Sequence, residues 1–158
     1  MSAEILIVKN SEDLRKAGES TNKIVVESGA CNDPSTCEWD LSRYKELTEL
    51  VVGDNCFQYV KEFKLIGMSK LESVEIGMNS FTKFKNGFGQ DPNRHFYLKN
   101  CPNLKSLKMG RYSFSDYKVI EIENVDALEV IEMGDLNEES YNFVSASLEL
   151  KSILIHSE

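Results

Sequence analysis

The sequence has little of what enzymes and metal proteins use for chemistry. It contains two histidines, His95 and His156, and neither has a cysteine or serine partner at the spacing of a known catalytic motif. Phosphate-binding loops, dinucleotide fingerprints and metalloprotease motifs are absent. The four cysteines include no pair at the two-residue spacing of a zinc knuckle. We therefore expect no enzymatic activity, no cofactor and no metal site.

Long apolar runs and an excess of positive charge are also lacking. No apolar run approaches the ~20 residues that span a bilayer, and Glu4 stands where a secretory signal has a basic residue. The formal net charge is −8, from 26 acidic and 18 basic residues. Nucleic-acid backbones and anionic membranes reward positive charge, so neither is expected as the main partner. The sequence as written indicates a cytoplasmic protein; an excerpt from a secreted or surface-attached protein would look the same.

The most prominent pattern in the sequence is a recurring seven-residue segment that begins at a leucine and ends at a glycine, and it occurs four times. The four segments are residues 47–53, 71–77, 104–110 and 128–134, and their glycines step by 24, 33 and 24 residues. The long step is one period plus nine inserted residues. A fifth match, residues 150–156, lacks the glycine. Such self-similarity at a fixed period indicates a repeat architecture.

A second short segment precedes each leucine. Residues 39–41, 63–65, 96–98 and 120–122 alternate between apolar and other residues. Alternation with a period of two predicts a strand and not a helix. The sequence therefore predicts two short strands per repeat and little helix.

The pattern resembles that of the leucine-rich-repeat family, L-x-x-L-x-L-x-x-N-x-L. Two repeats meet it in full, with Asn55 and Asn79 at the asparagine position, while Tyr112 and then Leu136 replace the asparagine. The most similar members are the β-rich, phenylalanine-containing type of bacterial and protist proteins, and the likeness covers about residues 39–156. The resemblance implies a mainly β solenoid in which each turn buries its leucines against its neighbours.

Residues 39–158 are expected to form these repeats, as one solenoid domain with an irregular N-terminal cap. The cap, residues 1–38, is predicted to contain a strand at 4–8, a short helix at 11–17 begun by a Ser11 cap, and a strand at 23–27. At the other end, residues 153–155 would leave a strand edge uncovered, so either the natural protein continues or this edge is an oligomer contact.

Several core positions are predicted from the same alignment. Phe57, Phe81 and Phe114 should form an aromatic stack, and the segment-ending glycines should allow a tight bend after each strand. Cys101 occupies the position of an apolar residue and should be buried. Cys31 and Cys37 could close a small disulfide loop in an oxidising compartment, which a cytoplasmic setting disfavours.

Residues between the core positions should face outward in two rows. The main strands present Glu75, Lys108 and Glu132, and the second strands present Lys64, Tyr97 and Glu121. The alternating charges form either a cross-strand ladder or a recognition surface. Tyr97 is the best candidate anchor, because interfaces favour tyrosine.

The insertion is the other candidate for binding. It lies within residues 83–95, where glycine and proline predict a loop that is locally basic on an acidic protein. Phe88, Arg94 and His95 are its candidate contact residues. In the alternative interpretation the loop has no binding role, and Phe84 and Phe88 fold back onto the coil. Insertions in repeats often carry binding sites.

The expected function is a scaffold that presents a strand face and an inserted loop to a protein partner. The alternative is a structural segment of a longer or self-assembling repeat array, with a homo-oligomer formed through the uncapped C-terminal edge.

Overall fold

The computed structural model describes residues 4–83, 93–134, 142–143 and 147–151. Within these residues the protein is mainly β: eleven strands form two parallel sheets, and the helix is limited to one short 3₁₀ helix at Ser11–Lys16. The β-rich class expected from the sequence is confirmed.

In chain order, the strands are β1 (Ile5–Val8), β2 (Lys23–Val26), β3 (Glu38–Asp40), β4 (Glu49–Val52), β5 (Glu62–Ile66), β6 (Ser73–Ile76), β7 (His95–Lys99), β8 (Ser106–Met109), β9 (Val119–Glu123), β10 (Val130–Met133) and β11 (Ser147–Lys151). From β3 to β10 the chain alternates between two sheets. Sheet A has the order β1-β2-β4-β6-β8-β10, and sheet B has the order β11-β9-β7-β5-β3. The four leucine segments each supply a strand of sheet A and the four shorter segments a strand of sheet B.

Alternation within each strand decides which side chains enter the core. In β8, Leu107 and Met109 are buried while Lys108 between them is exposed. The pairing is parallel and in register, so that Glu75 is aligned with Lys108 and Lys108 with Glu132. Each sheet therefore has one face in a shared hydrophobic core and one face directed outward.

An aromatic column runs through the core, as the sequence predicts. Ring centroids are 5.0 Å apart for Phe57 and Phe81, 4.8 Å for Phe81 and Phe114, and 5.2 Å for Phe114 and Phe143. Trp39 stacks on Phe57 at 4.3 Å. The rings are nearly parallel, and this offset stacking adds to the free energy that burial alone contributes.

The glycines that end the second and third leucine segments, Gly77 and Gly110, have a role different from the one expected. A Cβ atom on Gly77 would lie 2.5 Å from the carbonyl carbon of Gly53, and one on Gly110 would lie 2.5 Å from the backbone nitrogen of Met78. Neither glycine has a positive φ. Glycine is needed at these two positions because neighbouring backbones approach closely. Gly134, with φ +67°, is the segment-ending glycine that fits the predicted bend.

The bend itself is made by residues other than glycine. Asn55 and Phe57 have φ values of +58° and +57°, and Asn79 and Phe81 have +59° and +57°. Asparagine enters this left-handed region more readily than most residues, whereas phenylalanine does so at a cost. Burial of the phenylalanine rings in the aromatic column offsets that cost.

The 3₁₀ helix is capped one residue earlier than predicted. The side chain of Asn10, which has extended backbone angles, accepts a hydrogen bond of 3.1 Å from the backbone nitrogen of Asp13. Ser11 lies inside the first turn, and its hydroxyl donates to the carboxylate of Asp33 instead. The prediction of Ser11 as the N-cap is therefore wrong. Serine and asparagine both suit a cap position, but only Asn10 lies outside the helix.

The fifth leucine match also differs from its alignment. Leu150 belongs to β11 and is paired with Ile122 in sheet B, whereas its expected counterpart Leu128 lies before a strand of sheet A. Leucines at 148 and 150 alternate with other residues, as a strand of either sheet requires. The alignment of leucines therefore does not determine which sheet this segment joins. Residues 153–155 lie outside the described part of the chain.

The cysteines are free thiols. Cys101 is buried, as predicted, and so are Cys31 and Cys56, while Cys37 is exposed. Burial raises the pKa of the Cys31 thiol to about 11, with a smaller opposing effect from Ser11. Cys31 is therefore protonated and unreactive at neutral pH.

Candidate binding surfaces

The outward face of sheet B brings together four of the residues singled out in the sequence. Lys64 on β5, His95 and Tyr97 on β7, and Glu121 on β9 lie on neighbouring strands, and Lys64, Tyr97 and Glu121 are aligned in one row. Nδ1 of His95 and the hydroxyl of Tyr97 share a hydrogen bond of 2.7 Å. The phenol is therefore held in one orientation.

Charged side chains flank this tyrosine. The ammonium of Lys64 lies 5.9 Å and that of Lys99 lies 5.5 Å from the centre of the Tyr97 ring, within the range of cation–π attraction. Lys99 also forms ion pairs of 2.7 Å with Glu121 and 3.5 Å with Glu123. The hydrogen bond to Glu121 raises the pKa of Lys99. Partial burial, followed by the nearby Glu121 and Glu62 carboxylates, raises the pKa of Tyr97, which stays a neutral phenol.

The outward face of sheet A carries the other predicted row. Lys108 and Glu132 form an ion pair of 3.7 Å with both side chains more than half exposed. Among the described residues, Glu75 has no ion pair with Lys108 despite their alignment. Exposed pairs of this kind contribute about 0–1 kcal/mol, so the row is a weak ladder. It continues toward the N-terminal end through Val51, Val25 and Ile7 as an apolar stripe.

Arg94 is not a surface residue, in contrast to the expectation that grouped it with the loop. Its side chain is 1% exposed and lies 3.6 Å from the carboxylate of Asp116, which is itself fully buried. One guanidinium nitrogen donates to the carbonyl of Gln58 at 2.7 Å. The backbone nitrogen of Lys83 donates to Asp116 at 2.9 Å. Asp116 thus holds both ends of the insertion against the core, one through Arg94 and the other through the backbone of Lys83. The sequence shows that the insertion is basic, but it does not show that one of the basic residues is buried.

Phe88, the remaining predicted contact residue, lies outside the described residues. Its neighbour in the insertion, His95, does reach the surface, because it begins β7 and takes an outward position. The described residues among those predicted therefore form a cluster on sheet B and a row on sheet A, whereas Arg94 is a buried structural residue.

A cleft near the N-terminal end was missed by sequence reasoning. It has a volume of about 920 Å³ and lies between the 3₁₀ helix and the start of β3, with Leu14, Trp39 and Tyr44 among its apolar lining residues. Asp33 closes one side, where the hydroxyls of Ser11, Ser35 and Thr36 donate to its carboxylate and lower its pKa. These residues have no periodic spacing, so only the fold brings them together.

In the part of the chain that the structure describes, no group of His, Cys, Asp or Glu side chains has the arrangement of a metal site. Over the same residues, no helix has the length and apolar character needed to cross a membrane. Searches of family models, curated proteins and solved structures gave no match to this chain.

Proposed function

We propose that the chain is a leucine-rich-repeat solenoid that acts as a protein-binding scaffold. The leucine segments support this assignment, since each supplies one strand of sheet A, and so does the in-register parallel pairing of strands on either side of a common core. A rigid framework of this kind presents its outward side chains at fixed spacings, which favours recognition of a macromolecule over catalysis.

The single observation that carries the proposal is the arrangement of Tyr97. Its ring is half-buried, its hydroxyl is fixed by His95, and two lysine ammonium groups lie beside it. An aromatic side chain that is already ordered loses little conformational entropy on binding. Charged groups around such an anchor favour one partner over others.

The insertion supports the same surface. Its C-terminal end leads through Arg94 directly into His95 and β7, and its N-terminal end is held by Asp116. The loop is therefore attached beside the strand that carries Tyr97. The surface we propose consists of Tyr97, Lys64, Glu121 and His95 on the outward face of sheet B.

Replacing Tyr97 with alanine is the direct test of this surface. We expect partner binding to weaken about 30-fold, as for an interface anchor worth about 2 kcal/mol. The melting temperature should change little, because the ring is only partly buried. Quantitative affinity capture with mass spectrometry would identify the partner, and titration of that partner would give the affinity.

Tyr59→Ala provides the matched control, since Tyr59 is also a partly exposed tyrosine with a lysine, Lys83, over its ring at 4.8 Å. Binding by the Tyr59 variant should be unchanged. If the Tyr97 variant captured the same partner with the same affinity, the surface would be assigned incorrectly.

The alternative function is self-assembly of the array. Of six large hydrophobic residues exposed in the described chain, five lie on the two end strands of sheet A: Ile5, Ile7, Val130, Ile131 and Met133. Pairing of β10 with β1 of another copy would continue the parallel sheet. Such a head-to-tail contact does not close on itself and produces open chains.

Sedimentation velocity at several concentrations tests this alternative. Self-assembly predicts a sedimentation coefficient that rises with concentration, and an Ile5→Lys, Ile7→Lys double variant should shift the distribution to monomer. Because both side chains are exposed, the variant should keep its fold. A concentration-independent monomer for the unmodified chain would rule out assembly through these edges.

A further inference from the structure

The outer edge of β3 presents backbone groups that the described chain leaves without partners. The backbone nitrogen of Leu41 donates to Lys64, and the carbonyl of Cys37 accepts from Lys61. Backbone groups alternate in direction along a strand, so the peptide groups of Glu38 and Asp40 point away from β5. Among the described residues, nothing pairs with the backbone nitrogen and carbonyl groups of Glu38 and Asp40.

The fold leaves room for a strand at this edge. Sheet A extends two strands, β1 and β2, toward the N-terminal end, whereas among the described residues sheet B ends at β3. The described chain between β1 and β2 forms the 3₁₀ helix and contributes no strand to sheet B. The hydroxyl of Ser11 donates to Asp33 and so ties the helix to the loop before β3, and a cleft of about 920 Å³ lies between the helix and the start of β3.

We propose that this edge binds an extended segment of a partner protein with alternating basic and apolar side chains, added to sheet B as a further strand. The new strand would pair with the free peptide groups of Glu38 and Asp40. Main-chain hydrogen bonds supply affinity in this mode of recognition, and alternate side chains supply specificity.

The side chains along the edge determine the preferred residues. Glu38 and Asp40 are exposed on the outward face, and side chains directly opposite each other on adjacent strands interact. Lysine or arginine beside each of these acidic residues is therefore favoured. The residue between them would face inward against Trp39, in the way that Phe63 packs on its other side at 5.5 Å.

The other charged residues around the cleft also favour a basic partner segment. Arg15 and Arg43 line it together with Glu12, Asp33 and Glu38, and Asp40 lies on the same edge. The carboxylates thus outnumber the guanidinium groups by four to two. The same acidic edge disfavours pairing between two copies of β3, since Glu38 and Asp40 would meet like charges.

Trp39 is the only tryptophan of the chain and reports directly on this site. The probe is an acetylated and amidated peptide, Lys-Ile-Lys-Ile-Lys, titrated into the full chain while Trp39 emission is followed. A saturable change with a Kd below about 1 mM is expected. The acidic analogue Glu-Ile-Glu-Ile-Glu should bind at least about tenfold more weakly. Comparable affinity for the two peptides, or no saturable change with the basic one, would overturn the proposal.

Methylation of backbone nitrogens tests strand pairing without altering the protein. One peptide is methylated on both isoleucine nitrogens and another on the central lysine nitrogen. Because these nitrogens point to opposite sides of an extended peptide, we expect one of the two peptides to lose binding and the other to retain it. Retention by both would mean that no strand is added.

Two protein variants complete the test. Glu38→Lys should weaken binding of the basic peptide about tenfold, whereas Glu62→Lys, on the neighbouring strand β5, should have little effect. Tyr97→Ala should leave this peptide's affinity unchanged, so the proposal can fail independently of the surface on β7. Equal effects of the Glu38 and Glu62 substitutions would show that general charge, and not the β3 edge, controls binding.

Discussion

Replacing Asp116 with alanine is expected to lower the free energy of unfolding by about 3–5 kcal/mol. The substitution leaves the guanidinium of Arg94 buried beside an apolar side chain, and it removes the acceptor for the backbone nitrogen of Lys83. Removing the carboxylate beside a buried guanidinium is costly, because water cannot take its place there. Urea unfolding followed by circular dichroism would show the change as a lower midpoint with an unchanged slope.

The exposed pair of Lys108 and Glu132 is the control for this measurement. Its side chains are 52% and 61% exposed, against 1% and 0% for Arg94 and Asp116. Glu132→Ala should cost no more than about 1 kcal/mol. An Arg94→Met, Asp116→Leu double variant should recover much of the lost stability, since apolar pairs can replace buried ion pairs. Equal losses for Asp116→Ala and Glu132→Ala would contradict a buried, structural ion pair.

Phe81→Ala is expected to cost about 3–5 kcal/mol, the usual result of removing a fully buried aromatic ring. Phe81 is 0% exposed and stacks on Phe57, Phe63 and Phe114 at centroid distances of 5.0, 4.5 and 4.8 Å. Alanine would leave a cavity in the middle of the column and interrupt contacts on both sides. Thermal unfolding and urea titration measure the loss.

Two comparisons separate packing from a general effect of losing an aromatic residue. Phe81→Leu keeps most of the apolar volume and should cost clearly less than the alanine variant. Phe143→Ala removes a ring that is only partly buried and should also cost less. A loss below about 1 kcal/mol for Phe81→Ala would mean that the column contributes little to stability.

The strands of both sheets were predictable because alternation and the recurring leucine register depend only on local chemistry. The aromatic column followed from the same alignment, since Phe57, Phe81 and Phe114 share one position. The prediction of Ser11 as the helix cap is wrong because two adjacent residues, Asn10 and Ser11, are both of types that cap helices. The predicted alignment of Leu150 with Leu128 is wrong because the alternating leucines of this segment are compatible with a strand of either sheet.

The candidate sites were harder to predict, because their geometry depends on contacts between distant segments. The alternating strand pattern identified Tyr97 as an outward residue, but the hydrogen bond to His95 required the actual strand angles. The sequence predicts a surface position for Arg94 because it lies in a polar loop segment, and its buried partner Asp116 is 22 residues further along the chain. The cleft beside β3 exists because, in the described part of the chain, sheet B has no strand beyond β3, and no residue pattern in the sequence indicates where a sheet ends.

The left-handed corner residues restrict which sequences this backbone can accept. Asn55, Asn79, Asn100 and Asn124 all have φ between +54° and +59°. A valine, isoleucine or threonine at any of them would meet a steric penalty on the order of 1–3 kcal/mol, although each is compatible with a strand. Interchanging leucine and isoleucine in the core costs less than that. Mutational tolerance should therefore be lower at these polar, partly exposed corners than at many apolar positions inside the protein.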